Sequence, residues 1–182
     1  MSKILISWNA LNNDFIKQED GSFNVNPSGT HGEFYQFFED YDQHILLSTS
    51  EKGKDDGRLK LLSDFLSSYG TIKVIPTYLT IEDPLSIAEL KRKLEPILLK
   101  NQNNDIEIYI SPGTPSMQTT WYLLQQEFTS NVKLFFIRPP HKRSAKQPKR
   151  EYVQIEKSNV FRSTVILENE NRTSKSDSAF QP

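Results

Sequence analysis

Two apolar periods alternate along most of this chain, and that alternation limits its fold more than any other feature. Lys3-Ile4-Leu5-Ile6-Ser7-Trp8, His44-Ile45-Leu46-Leu47-Ser48-Thr49-Ser50, residues 71–79, Asp105-Ile106-Glu107-Ile108-Tyr109-Ile110-Ser111 and residues 132–138 read as buried strands. Between them the apolar residues recur at helical spacing: Leu62, Phe65, Leu66 and Tyr69, then Ile87, Leu90, Leu94, Ile97 and Leu98, then Met117, Trp121, Leu124 and Phe128. Strands that alternate with helices inside one domain pair in parallel, because each crossover helix returns the chain to the same end of the sheet.

The expected fold is therefore α/β, a Rossmann-like three-layer sandwich with a mainly parallel sheet of about five strands. A C-terminal β-hairpin, with strands 152–157 and 160–167 around Ser158-Asn159, closes one sheet edge. Pro76 places the end of the third strand at a sheet margin or in a bulge, since proline cannot donate to a ladder.

Local signals set the helix ends. Thr30-His31-Gly32-Glu33 has the capping-box pattern, and Phe34, Phe37, Phe38 and Tyr41 follow on one helical face. Gly70 is expected just past the second helix, Asp83-Pro84 at the start of the third, and Pro96 as a kink within it. The polar stretch 9–28 exceeds what a plain connection needs and reads as a lid or a disordered loop.

With 182 residues, one core is expected, and 36% hydrophobic residues suffice to build it. A formal net charge of -1 gives no overall attraction to polyanions, so a nucleic-acid site has to be local. Cysteine is absent, which excludes thiolate metal sites and a cysteine nucleophile and, with no secretory leader, favours the cytoplasm. No apolar run approaches the roughly 20 residues of a membrane span.

In an open parallel sheet, ligands bind beyond the carboxyl ends of the strands where strand order reverses. Three segments should converge there: Trp8-Asn9, Ser48-Thr49-Ser50, and Ser111-Pro112-Gly113-Thr114-Pro115-Ser116-Met117. The last has the hydroxyls of Ser111, Thr114 and Ser116, and Gly113 permits close backbone approach. Its amides are expected to face an anion, unless it is an ordinary strand-to-helix turn. Trp8 is either a stacking plane or a ring packed under the long loop, and Asn9 could read a base. Arg138 is placed to meet a phosphate or to pair with an acid.

The basic segment 139–150, with His141, Lys142, Arg143, Lys146, Lys149 and Arg150, is read as a solvated mobile loop in preference to a phosphate track. No Walker loop, dinucleotide fingerprint, zinc helix or serine elbow is present, and His31 and His44 stand in no triad spacing. An enzyme is not the favoured reading, and neither metal nor cofactor is expected.

The opening strand, the segment 44–50 and above all Ser111 to Gln118 resemble the amino-terminal sensory domain of RtcR-like, sigma-54-dependent transcriptional activators, itself akin to the CRISPR-associated Rossmann-fold (CARF) sensors. The resemblance implies a homodimer whose pocket binds a cyclic oligoadenylate or an RNA cyclic-phosphate end. Trp8, Asn9, Ser111, Gly113, Thr114, Ser116, Met117 and Gln118 then become ligand contacts. It also implies that residues 1–170 are the sensor and that 171–182 are a tail or linker to an effector. In such activators the effector is an AAA+ ATPase with a helix-turn-helix, absent here. The alternative on the same fold is a nucleotide-processing phosphodiesterase.

Overall fold

In the computed structural model, residues 1–54, 56–128, 131–144 and 147–154 are described. Strand β1 (Lys3–Trp8) is followed by two short strands, β2 (Phe15–Lys17) and β3 (Phe23–Val25), and then by helix α1 (Thr30–Phe37). β4 (Gln43–Ser48), α2 (Arg58–Ser67), β5 (Lys73–Tyr78), α3 (Ile87–Lys100), β6 (Asp105–Tyr109), α4 (Pro115–Glu127) and β7 (Val132–Phe136) continue the alternation. A single 3-10 turn (Pro140–Lys142) leads to β8 (Glu151–Tyr152).

The main sheet has the order β5-β4-β1-β6-β7-β8, parallel throughout except for β8. From β1 the chain first builds outward through β4 and β5, then crosses back to β6 and β7. Strand order thus reverses between β1 and β6. This is the Rossmann-like architecture expected from the sequence.

Both faces of the parallel strands are covered, so successive residues enter different cores. Ile4, Ile6, Ile106, Ile108 and Leu134 pack against Leu90 and Leu94 of α3 and Trp121 and Leu124 of α4. Leu5, Leu46, Tyr109 and Phe135 pack against Phe34 and Tyr35 of α1 and Leu62 and Leu66 of α2. Pro76 lies in the edge strand β5, where its missing donor faces away from β4.

Several local expectations are corrected. Residues 9–28 are neither an open lid nor unstructured: β2 pairs antiparallel with β3, Phe15 is buried, and the Arg58 guanidinium lies 4.5 Å from the Phe23 ring centroid. Thr30 is not a capping residue. Gly29 is the N-cap of α1 without a side-chain bond, and the distant Asp14 carboxylate accepts the His31 amide instead. The aromatic face is rotated as well, because α1 ends at Phe37 and turns His31 and Tyr35 inward, leaving Phe37 exposed and Tyr41 beyond the helix.

Asp83-Pro84 forms a turn ahead of α3. Ser86 is the N-cap, and the Glu89 carboxylate reaches back to the amides of Glu82 and Asp83. Gly70 is not in the left-handed region, whereas Gly57 before α2 is, at φ 78°. β8 pairs antiparallel with β7, and the expected hairpin of 152–157 with 160–167 lies almost wholly outside the described residues.

The basic loop is not a free solvated segment either. Arg143 forms a two-bond pair with Glu33 of α1 at 2.8 Å each, and Arg150 reaches Asp40 and the buried Glu107. Two of its cations therefore clamp the loop along α1, one at the first turn and one just past the last.

Candidate ligand pocket at the sheet's carboxyl edge

Between β1, α1 and β4 lies a buried polar chain. His31 Nδ1 stands 2.6 Å from Asp14 Oδ2, and His31 Nε2 stands 2.7 Å from Ser7 Oγ. On its other side Ser7 Oγ is 2.8 Å from His44 Nε2, and His44 Nδ1 is 2.8 Å from the Tyr35 hydroxyl. Asp14, His31, Ser7 and His44 have no exposed surface.

Polar groups this deep must be paired, and the chain pairs them. Burial and the neighbouring His31 push the His44 pKa well below its ordinary value, so His44 is neutral near pH 7. Neutral His44 donates through one ring nitrogen and accepts through the other, with Ser7 and Tyr35 as its two partners. Burial alone would raise the Asp14 carboxyl, but the charge and bonds of His31 and the Ala10 amide outweigh it and hold the pKa low.

Asp14 thereby staples two loops together. Its carboxylate accepts the amides of Ala10 and His31, and its carbonyl accepts the Asn26 amide at 2.7 Å. Those loops form one wall of a cavity of about 760 Å³ over the carboxyl ends of β6 and β7. Asn12, Asn13 and Asn26 line that wall, and Gln118 and Tyr122 of α4 line the facing one. Arg138, Lys142 and Arg143 form the cationic rim. The volume falls within the range of about 300–1,000 Å³ typical of small-molecule sites.

Of the residues singled out from the sequence, Ser111, Gln118 and Arg138 line this cavity. Ser111 Oγ accepts the Ile137 amide at 3.2 Å, tying the post-β6 bend to the strand beside it. Gln118 Nε2 donates to the Gly113 carbonyl at 3.0 Å. Arg138 is held by both oxygens of Glu151 at 2.6 and 2.9 Å.

The rest of the bend faces elsewhere. Its amides do not point at an anion, because Gly113 donates to the Ile110 carbonyl, Thr114 to Met117 Sδ, and Met117 to Thr114 Oγ1, which caps α4. Ser116 gives its carbonyl to the Thr120 hydroxyl, and Met117 is buried. Gly113 is small for packing reasons, since a Cβ there would stand 3.2 Å from Met117 Cβ and 3.4 Å from Trp8 Cδ1.

Trp8 is buried against α4, with Nε1 unpaired, and presents no open ring face. The Asn9 amide donates to Leu47. Ser48 is buried and accepts the Ser50 amide, while the carbonyls of Thr49 and Ser50 are bonded to Ile81 and Thr80. That third segment is drawn toward β5 and away from the cavity.

Sequence reasoning did not single out Asn12, Asn13, Asn26 or Tyr122, and it read Glu33 only as a helix-capping residue. It treated Lys142 and Arg143 only as members of a charge run. Among the described residues no group of three or more potential ligands could hold a metal ion, and no helix is long and apolar enough to cross a membrane.

No protein-family model matches the chain. No curated protein sequence matches it either. Among solved structures, it is similar to Enterococcus italicus Csm6 bound to cyclic hexa-2'-fluoro-hexa-dAMP, at 18% identity and a TM-score of 0.57. That match covers 96% of this chain and 39% of Csm6. A type III CRISPR defence DNA nuclease activated by cyclic oligoadenylate aligns at 13% identity and a TM-score of 0.44, over 73% of this chain and 18% of the nuclease. The chain thus spans well under half the length of either protein. The Csm6 likeness is one of fold.

Proposed function

We propose that this chain is a CARF-like sensory domain that binds a nucleotide or RNA-derived signal in the cavity above β6 and β7. A single observation carries the reading: at the sheet edge next to the strand-order reversal, one cavity combines a cationic rim, side-chain amides and aromatic walls. Cations meet phosphate, amides read a base edge, and rings cover its face. Ser111, Gln118, Arg138, Lys142 and Arg143 are the contacts proposed. A fold shared with a Csm6 that holds a cyclic hexanucleotide analogue supports the same reading.

The signal belongs to the class of cyclic oligoadenylates or RNA ends bearing a cyclic phosphate. Binding would shift a homodimer that controls an attached or partner effector, such as the ATPase and helix-turn-helix modules of an RtcR-like activator. Such a shift requires different affinities for two dimer arrangements. Sensing is favoured over cleavage because Ser7, His31 and Asp14, which meet in series, are enclosed away from the cavity.

A thermal-shift panel of cyclic oligoadenylates, cyclic-phosphate RNA ends and linear dinucleotides tests the proposal. A ligand at a hundred times its dissociation constant stabilises the fold by about 2.7 kcal/mol. Arg138→Ala and Gln118→Ala should diminish that response. A panel without any shift overturns the reading, and conversion of the ligand to new products would make the chain an enzyme.

A further inference from the structure

The rim of the cavity has a second side. Arg138, Lys142 and Arg143 also line a neighbouring chamber of about 450 Å³, together with Ser144, Lys149 and Glu151. The two chambers therefore share three cations as a common wall. Their remaining linings differ in kind. The first has the rings of Tyr122 and Phe136 and the amides of Asn12 and Gln118, whereas the second has no aromatic residue among the described ones.

The state of these cations also differs. Arg143 is fixed by both oxygens of Glu33 and hooks back onto the Arg138 carbonyl, and Arg138 is fixed by both oxygens of Glu151. The guanidinium groups thus build a rigid frame whose charge is partly matched. Lys142 and Lys149 form no side-chain ion pair among the described residues. Among its described lining residues, the second chamber therefore sets four cations against the single carboxylate of Glu151. Unmatched positive charge on a partly enclosed wall concentrates anions there.

We infer that the second chamber is a phosphate subsite, in which Lys142 and Lys149 receive the next phosphate of a ligand whose nucleoside lies in the first chamber. The inference rests on the nucleotide reading of the first cavity and extends it. The site recognises an oligonucleotide of at least two phosphates, and a mononucleotide fills only half of it. Lys149 lines the second chamber alone, so it contributes to the longer ligand and not to the shorter.

Isothermal titration with AMP, with 5'-phosphorylated triadenylate and with inorganic tripolyphosphate separates the possibilities on the intact chain. Triadenylate should bind about tenfold tighter than AMP, with a steeper salt dependence. Lys149→Ala, an exposed substitution that spares the core, should remove most of that gain, reduce the salt slope by about 0.7, and leave AMP unchanged. The subsite is overturned if AMP and triadenylate bind equally, or if Lys149→Ala weakens both alike. It is also overturned if tripolyphosphate binds as tightly as triadenylate, because the nucleoside then contributes nothing. If neither nucleotide binds, the subsite is overturned, while the nucleotide reading of the first cavity is decided separately by the cyclic ligands of the thermal-shift panel.

Discussion

Asp14 and His31 meet twice: one carboxylate oxygen accepts the His31 backbone amide at 2.9 Å, and the other faces the ring nitrogen Nδ1 at 2.6 Å. A single side chain thus does the work of a helix cap and of a partner for a buried imidazole. Asp14→Ala removes both bonds and strands the Ala10 amide as well. Removing one member of a buried pair costs about 3–5 kcal/mol. Urea unfolding should show a loss of that order, and a loss below about 1 kcal/mol would mean that the pair contributes little.

The same chain makes stability depend on pH. The folded-state pKa of His44 lies well below its ordinary 6.5, so below that pH the unfolded chain takes up a proton that the folded chain refuses. Stability is complete above about pH 6.5 and falls as pH drops toward the folded-state value, by at most about 1.4 kcal/mol per pH unit. Asp14, depressed from 3.8, adds a second loss at lower pH, as its carboxylate is finally protonated. Urea midpoints at about pH 7.5 and about pH 5.5 should differ in that direction, and His44→Gln should flatten the difference.

Gly32 is required by contact, since a Cβ would stand 2.4 Å from the Pro27 carbonyl oxygen and 3.0 Å from that of Asn26. Gly32→Ala has to push the wall of the cavity outward, at a cost of about 1–3 kcal/mol. For a chain of this size the melting temperature should fall by roughly 2–4 °C per kcal/mol. An unchanged melting temperature would show that the 26–31 loop yields freely.

Thr114 is placed to act on the fold. Its hydroxyl accepts the Met117 amide at the start of α4, so Thr114→Ala should cost about 1 kcal/mol of stability. A thermal melt of that variant indistinguishable from the wild type would free the hydroxyl for a ligand.

The strand positions were legible because the pattern that betrays a parallel strand is local. Lys3 to Trp8 reads as buried on both faces, and it is a central strand. The start of α1 was misread for the converse reason: the Thr30 and Glu33 pattern is local, but Asp14 and Arg143 compete for the same groups from 17 and 110 residues away. One trace of the buried chain was visible. Ser7 and His44 are polar residues inside apolar strands, and His31 and Tyr35 are one helical turn apart, so four groups needed partners that only the fold could supply. The cavity was half legible: Ser111 and Arg138 followed from strand ends and Gln118 only from the family resemblance, whereas Asn12 and Asn13 belonged to a stretch without periodicity. Arg143 is the same charge as Lys142 in sequence, and only the position of Glu33 distinguishes a clamp from an open cation.

That clamp has a mechanical consequence. With Arg143 fastened to Glu33 and Arg150 to Asp40, two described points of the segment after β7 are tied to the two ends of α1, and the second lies beside β8. A tilt of α1 would have to break or carry both pairs, so the mouth of the cavity and the outermost described strand are linked through Arg150 and its chain neighbour Glu151.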